Sequence, residues 1–219
     1  MIIAIDGPSG AGKSTVAKLL SKKLNFEYID TGAMYRALAL KARMCSIEIC
    51  VENEGEIDKM LKTTSVDYSD SCIYLDDVNV ESLIRSEDIS IGASKISALK
   101  NVRTRMVELQ RKIAENKDVV LDGRDIGTKV FPDADFKFFI TASEQTRAER
   151  RYRQLEASGK TSDFSNVLAD LKQRDINDTT REISPLRMAE DAILIDTTNM
   201  DIDDTVEAIS RIIGGSNVL

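Results

Sequence analysis

The stretch that decides the fold is residues 1–14, MIIAIDGPSGAGKS. Residues 1–5 are apolar and predict a buried strand, and the apolar residues that follow recur at helical spacing up to Leu24. Between them, residues 7–14 match the pattern G-x-x-x-x-G-K-[ST], in which glycines let backbone N–H groups converge on phosphate oxygens. Because all fixed positions match in a strand–loop–helix context, the sequence predicts a nucleoside triphosphate site rather than a glycine-rich turn that binds nothing.

The polar side chains of this loop have predictable roles. Lys13 would reach the β and γ phosphates of the bound nucleoside triphosphate, and the Ser14 hydroxyl would hold Mg²⁺. A later apolar run, residues 118–122, ends in Asp122, and a strand that ends in Asp beside such a loop is typical of Mg²⁺ binding through water. The predicted nucleotide-binding residues are Gly7, Pro8, Ser9, Gly10, Ala11, Gly12, Lys13, Ser14 and Thr15.

Composition narrows the class of protein. The 219 residues, 42% of them hydrophobic, predict one soluble α/β domain. A net charge of −7 argues against a nucleic-acid surface, and no apolar run approaches the ~18 residues of a membrane span. Because the loop begins at Gly7, we expect no targeting segment ahead of it. Three cysteines with no histidine form no zinc pattern. We expect a cytoplasmic protein, and a monomer because no apolar stripe stands out.

Short apolar runs alternate with helical patterns along the chain. They predict strands at residues 1–5, 26–30, 118–122, 135–141 and 192–196. Five strands alternating with helices predict a doubly wound parallel sheet with its site along the carboxyl ends of the strands. Residues 65–80, where β-prone runs are broken by Asp, Ser and Asn, predict a small antiparallel insertion. Helices are expected at 33–44, with Thr31 as N-cap, and at 81–91.

Arginines are concentrated in the predicted helix that follows Ser143. Arg147 and Arg151 share a helix face, as do Arg150 and Arg153. An arginine-rich helix before a turn is typical of a closing lid, where arginine stabilises the charge on a transferred phosphoryl group. A solvated basic face is the alternative.

Five further arginines lie near the ends of predicted segments: Arg36, Arg103, Arg124, Arg174 and Arg181. Gathered in a cleft, such a set would bind a second anionic substrate. The chain has no histidine, so the commonest general base is missing. A phosphate acceptor, whose oxygen is already anionic, therefore fits better than an alcohol.

The phosphate loop alone also allows a switch GTPase or a motor ATPase. A switch GTPase normally reads guanine with N-K-x-D, and residues 116–119, NKDV, place the Asp one position early. The arginine distribution favours a small-molecule kinase. The alternatives are another nucleoside-monophosphate kinase, a kinase of a small phosphorylated metabolite, and a nucleotide-dependent binding switch with little turnover.

Four motifs, in the order IDGPSGAGKST, DTGAMYRALAL, LDGRDIGTKVFPDA and KQRDINDTTREISPL, resemble the bacterial cytidylate kinases. The resemblance covers nearly the whole chain, including residues 65–80. It implies a single P-loop kinase domain over residues 1–219, with a nucleoside-monophosphate-binding insertion at about 31–100 and a lid at about 147–165. It also implies the Mg²⁺-dependent transfer of the γ-phosphoryl group of ATP to CMP or dCMP, giving ADP and CDP or dCDP.

The same resemblance implies a role for each matching position. These are Thr31 and Arg36 on the acceptor nucleotide, Ser94, Arg103 and Asp125 on the cytosine edge, Arg124 and Arg181 on the acceptor phosphate, Arg174 and Asp178 on the ribose hydroxyls, and Arg147, Arg151 and Arg153 in the lid. Lys13 and the lid arginines would be the catalytic residues.

Overall fold

The computed structural model describes residues 1–69 and 72–215. Residues 70 and 71, which belong to the predicted insertion, lie outside this range. The chain divides into two compact units, of which the first comprises Met1–Glu27 and Asp118–Leu219 and the second Tyr28–Lys117. In the described residues no helix is long and apolar enough to cross a membrane.

Strands and helices alternate along most of the chain. The strands are β1 (Ile2–Asp6), β2 (Glu27–Asp30), β3 (Val66–Ser69), β4 (Cys72–Leu75), β5 (Val78–Asn79), β6 (Val119–Gly123), β7 (Phe136–Thr141) and β8 (Ile193–Asp196). The helices are α1 (Lys13–Leu24), α2 (Thr31–Met44), α3 (Glu54–Lys62), α4 (Glu87–Ile96), α5 (Lys100–Ala114), α6 (Glu144–Ala157), α7 (Phe164–Thr180) and α8 (Ile202–Gly215). A 3₁₀ turn precedes α3 at Val51–Asn53, and a π-helical turn follows β6 at Ile126–Val130.

The five-stranded parallel sheet has the order β2–β6–β1–β7–β8, which confirms the predicted α/β class. Neighbouring strands β1 and β6 run in register, with Ile5 opposite Asp122 and Asp6 opposite Gly123. The carboxyl ends of these two strands are therefore adjacent. In an open α/β sheet, ligands bind beside the carboxyl ends of the strands, at the point where successive connections lead to opposite sides of the sheet.

Buried apolar side chains hold the first unit together. Ile3 and Ile5 of β1 and Phe138 of β7 are almost completely buried, and burying each such side chain contributes about 1.5–3 kcal/mol. Helix α1 buries Val16 and Leu20, whereas Leu19, which its spacing also places near the apolar face, is 40% exposed. The strand–loop–helix segment is thus anchored on both sides of the phosphate loop.

The second unit contains a separate antiparallel sheet of order β3–β4–β5, as predicted for residues 65–80. Its β4–β5 turn has positive φ angles at Asp76 and Asp77, which acidic side chains tolerate better than most. Lys41 of α2 donates to Asp76 Oδ2 at 2.7 Å. The turn is therefore tied to a helix of the same unit.

Two local predictions in the second unit were wrong. The helix predicted at 81–91 begins at Glu87, because Leu83 and Ile84 donate to the Val80 carbonyl in a turn and Ser86 is extended. The N-cap of α2 is Asp30 rather than Thr31, since the Asp30 carboxylate accepts from the Ala33 N–H at 2.8 Å. Both ends are fixed by local hydrogen bonds that the apolar pattern does not reveal.

Candidate active site

The phosphate loop lies between the carboxyl end of β1 and the start of α1. Gly7, Gly10 and Gly12 of the loop all have positive φ angles. A Cβ at Gly7 would lie 2.0 Å from the Ile140 carbonyl oxygen, and Gly12, at a φ of 88°, is the left-handed N-cap of α1. No side chain of the described residues caps this helix, which leaves its first N–H groups for an anionic ligand.

Lys13 is buried at the start of α1 although it carries an ammonium group. Its Nζ donates to the Pro8 carbonyl at 2.7 Å, so the loop curls around the lysine. Burial, and then the charge of Arg124, lower the pKa of Lys13 to about 7, against the opposing effect of nearby carboxylates. Phosphate groups beside Lys13 would favour its protonated form, so the site is suited to binding an anion.

The hydroxyl predicted to bind Mg²⁺ is paired with the carboxylate at the end of β6. Ser14 Oγ donates to Asp122 Oδ2 at 2.7 Å, and Asp122 is buried. Hydroxyl and carboxylate oxygens are the hard ligands that Mg²⁺ binds together with water and substrate phosphates. The residues present therefore fit the ion.

A group of opposite charges, which we call the arginine cluster, comprises the buried Asp125 and Asp178 and the half-buried Arg124 and Arg181. Arg124 Nε donates to Asp178 Oδ2 at 2.7 Å. Arg181 lies 3.8 Å from Asp178 and 3.9 Å from Asp125, and its Nε donates to the Ser184 carbonyl at 2.5 Å. Four sequence-predicted acceptor residues of the first unit therefore lie together.

Electrostatics keep Asp178 ionised within this cluster. Burial alone would raise the pKa of Asp178, but the charge and hydrogen bond of Arg124 and the charge of Arg181 hold it below its usual value. Arg174, the fifth predicted acceptor residue of this unit, is half-buried one turn earlier on α7, on the same helix face as Asp178. A carboxylate and a guanidinium one turn apart can bind neighbouring hydroxyl groups.

The three predicted lid arginines have different surroundings on α6. Arg147 is buried, Arg151 is half-buried and Arg153 is exposed. Arg151 Nη1 donates to Gln154 Oε1 at 2.8 Å. Arg150, which shares a helix face with Arg153, instead donates to both Thr197 oxygens and to the Met200 carbonyl, and so fixes the loop after β8.

Arg147 of α6 connects the phosphate loop to α7. Its guanidinium donates to the Ser9 carbonyl at 2.9 Å, to Asp175 Oδ2 at 2.6 Å and to the Ala142 carbonyl at 2.9 Å. Asp175 Oδ1 accepts from the Ser9 N–H at 3.4 Å. The Ser9 peptide is therefore bound on both sides, by an arginine of α6 and a carboxylate of α7.

In the second unit, Arg36 lies beside the carboxylate that caps its own helix. Arg36 Nη1 is 3.8 Å from Asp30 Oδ2, and Arg85 Nη1 donates to the same oxygen at 3.1 Å. Thr31, the first residue of α2, is buried. Two guanidinium groups share one acid, an arrangement that favours a further anion.

The other two predicted acceptor residues of the second unit lie on α5 and α4. Arg103 is buried, donates to the Tyr35 hydroxyl at 2.9 Å and lies 5.4 Å from the centre of that ring. Ser94 is half-buried, and its carbonyl accepts from Ser97 Oγ at 2.9 Å. The tyrosine orients the arginine, since a cation over an aromatic face is held by charge as well as by contact.

Three residues with such contacts were not predicted from the sequence: Arg85, Asp175 and Asp6, whose carboxylate accepts from the Ile126 and Gly127 N–H groups. The available signals were weak. Asp6 ends a strand immediately before Gly7, and Asp175 stands beside Arg174 within a quoted motif. Their partners are distant in sequence, so local patterns cannot identify their contacts.

Comparison with known proteins decides the family. A family model described as cytidylate kinase matches residues 3–214. The chain belongs to the cytidylate kinase family. The cytidylate kinase of Fusobacterium nucleatum subsp. nucleatum is 47% identical over 211 residues, with 96% of each chain covered. That of Carboxydothermus hydrogenoformans is 48% identical, with 99% of each chain covered. As a cytidylate kinase family member, the chain is a nucleotide-binding enzyme that uses ATP.

Solved structures support the fold alone. Shikimate kinase from Acinetobacter baumannii in complex with shikimate has a TM-score of 0.50 at 18% identity, with 100% of this chain and 95% of that chain covered. An uncharacterized protein from Eubacterium ventriosum has a TM-score of 0.51 at 18% identity, with 98% of both chains covered. This member of the cytidylate kinase family thus shares its fold with proteins of low sequence identity.

Proposed function

We propose that the chain transfers the γ-phosphoryl group of ATP to CMP or dCMP, giving ADP and CDP or dCDP. The observation that carries this proposal is the pairing, within one unit, of a phosphate loop with the arginine cluster. Arg124 and Asp178 of that cluster are close enough to Lys13 to affect its pKa. Two anion-binding groups within electrostatic reach of each other suit a donor triphosphate and an acceptor phosphate.

The donor is bound by residues 7–15. Their N–H groups and Lys13 contact the phosphates of ATP, and Lys13 neutralises the charge that develops on the β and γ oxygens. Ser14 would hold Mg²⁺ directly and Asp122 through water. When bound, the ion would neutralise part of the negative charge on the triphosphate.

The acceptor is bound in the first unit by the arginine cluster and Arg174. Arg124 and Arg181 bind its phosphate, because guanidinium groups match phosphate oxygens in charge and geometry. Arg174 and the ionised Asp178 bind the sugar hydroxyls. We also assign Thr31, Arg36, Ser94 and Arg103 to the acceptor nucleotide, and a lid to about residues 147–165.

Selection of the base is assigned to Asp125 together with Ser94 and Arg103. Cytosine presents a donor amine and an acceptor N3, whereas uracil presents a carbonyl and an N–H at the same places. A carboxylate accepts from the amine and repels the carbonyl. Sites built on such hydrogen bonds reject the wrong partner strongly, because the mismatch leaves buried polar groups unpaired.

No general base is required for this reaction. The chain contains no histidine, and the attacking oxygen of a phosphate monoester is already anionic. Catalysis then depends on alignment and on neutralising charge. Arg147, Arg151 and Arg153 supply positive charge in the lid, and Arg147 also holds the Ser9 peptide of the phosphate loop.

The experiment that tests the reaction is a time course with Mg·ATP and CMP, in which ADP and CDP are quantified by anion-exchange chromatography. We expect equal amounts of ADP and CDP. Without CMP, ADP should form at below about one-hundredth of that rate, because no anionic acceptor oxygen is then aligned with the γ-phosphoryl group. Tight ATP binding without CMP-dependent ADP would instead indicate a binding switch.

We also propose that the protein is a cytoplasmic monomer. It would act on small nucleotides rather than on nucleic acid or at a membrane. The net charge of −7 supports this, because nucleic acid and anionic lipid both attract basic surfaces. Light scattering during size-exclusion chromatography would measure the mass directly.

A further inference from the structure

Asp6, at the carboxyl end of β1, contacts the loop that carries two residues of the arginine cluster. It is 5% exposed. Its Oδ1 accepts from the Ile126 N–H at 2.8 Å, and its Oδ2 accepts from the Gly127 N–H at 2.7 Å. These two amides follow directly after Arg124 and Asp125 in the chain. One carboxylate therefore fixes the backbone at the end of that loop.

The two bonds stabilise an unusual backbone turn. The π-helical turn begins at Ile126, and the N–H groups of Lys129 and Val130 both donate to the Asp125 carbonyl. The first N–H groups of any helical turn have no partner inside it. Asp6 supplies that partner from β1, so the position of Asp125 is tied to the central strand of the sheet.

Packing on the other side of the turn leaves it little room to move. A Cβ at Gly127 would lie 3.2 Å from Lys137 Cδ and 3.5 Å from Asp6 Oδ2. The Lys137 ammonium is itself held by Asp191 at 2.6 Å and by the Pro132 carbonyl. Asp6 and the Lys137 stem thus contact the same residue of the turn.

We propose that Asp6 is a positioning residue for the acceptor, which holds the Arg124–Asp125 segment in the place where it binds the acceptor phosphate and reads the base. The proposal rests on the roles proposed above for Arg124 and Asp125. Asp6 does not contact the nucleotide. It acts by limiting the conformations of a short loop, and small displacements of positioning groups have large effects on rate and affinity.

A purely stabilising role does not account for this carboxylate. Burial raises the pKa of Asp6 to about 6, with a smaller contribution from Asp125, while the two backbone N–H groups and Lys13 lower it. Its folded pKa exceeds the unfolded value of 3.8, so its contribution to stability is lost as the pH rises from about 4 to about 6. At neutral pH the ionised carboxylate therefore lowers the free energy of unfolding relative to the protonated group. It nevertheless accepts both hydrogen bonds from the turn.

Asp6→Asn tests the proposal, because the amide keeps the shape but offers one accepting oxygen and places an NH₂ group against the second backbone N–H. We expect the KM for CMP to rise about 10- to 100-fold, the CMP/UMP ratio of kcat/KM to fall at least fivefold, and the KM for ATP to change less than twofold. The matched control is Asp135→Asn, which alters a carboxylate that accepts the Ile2 N–H at the opposite end of β1 and should leave all three values unchanged.

Stability measurements separate positioning from a folding defect. In urea titrations at pH 4 and pH 7, the midpoint of Asp6→Asn should rise relative to wild type as the pH increases, because only wild type must ionise a buried acid. A variant that is folded but binds CMP poorly supports the proposal. A KM for CMP and a base ratio that stay at wild-type values, or a KM for ATP that rises as much as that for CMP, would overturn it.

Asp125→Ala, measured in parallel, separates this inference from the proposed function. If Asp125→Ala lowers the base ratio and Asp6→Asn does not, the positioning role alone is refuted. An unchanged ratio in Asp125→Ala would refute the base-reading role on which the inference rests, and the inference with it.

Discussion

Lys13→Ala is expected to lower kcat for CMP phosphorylation by at least about 100- to 1000-fold, the loss typical of removing one group that stabilises transition-state charge. Lys13 is the one loop side chain whose ammonium can meet charge on the β and γ phosphates as the bond between them breaks. Burial lowers the pKa of this lysine to about 7. The negative charge of a bound triphosphate favours the protonated form of Lys13, and the resulting ammonium binds the phosphates. Steady-state kinetics at saturating ATP and CMP provide the measurement.

The control for Lys13→Ala is Lys22→Ala, which removes an exposed lysine from the same helix and should keep wild-type activity. Circular dichroism should show both variants folded, because removing a buried ammonium also removes the cost of burying it. A folded Lys13→Ala enzyme that retains more than a tenth of the wild-type kcat would refute the catalytic assignment of the loop.

Asp125→Ala is expected to lower the CMP/UMP ratio of kcat/KM by at least about 100-fold, within the range that hydrogen-bonded recognition can supply. The alanine variant can neither accept from the cytosine amine nor repel the uracil carbonyl. Asp125 also lies 3.9 Å from Arg181, so its loss will affect the overall rate as well. The CMP/UMP ratio of kcat/KM is a better measurement than the rate with CMP alone, because a disturbed phosphate site would slow CMP and UMP alike and leave their ratio unchanged.

Asp125→Asn refines this test, since an amide can donate to the uracil carbonyl as well as accept from the cytosine amine. We expect it to gain UMP activity relative to Asp125→Ala. Asp133→Ala, which removes an exposed acid from the same segment, should preserve wild-type selectivity. A wild-type ratio in both Asp125 variants would show that this carboxylate does not read the base.

The sequence was sufficient to predict the phosphate loop, the parallel sheet and the antiparallel insertion, because each depends on local spacing. Lys13, Ser14 and Asp122 follow from one motif and one strand end, and the Ser14–Asp122 pair lies where adjacent strand ends place it. The family resemblance supplied the members of the arginine cluster.

Contacts between distant residues could not be predicted in this way. The bond from Arg147 to the Ser9 carbonyl spans 138 positions, and that from Ile126 to Asp6 spans 120. An arginine pattern on α6 indicates a basic helix, but only the packing of α6 and α7 reveals that Arg147 is buried against Asp175 and the phosphate loop. The start of α4 was predicted too early, because a local turn precedes the helix. In that turn the Val80 carbonyl accepts hydrogen bonds from two backbone N–H groups.

The most direct test of the central claim is to measure ADP production from Mg·ATP with CMP, dCMP, UMP, AMP and GMP offered separately at equal concentrations. Rapid turnover with CMP and dCMP, and at most a few per cent of that rate with the other three, is the predicted result. Equal rates with UMP would contradict the base-reading assignment of Asp125, Arg103 and Ser94. The absence of acceptor-dependent ADP with every nucleotide would contradict the proposed reaction itself.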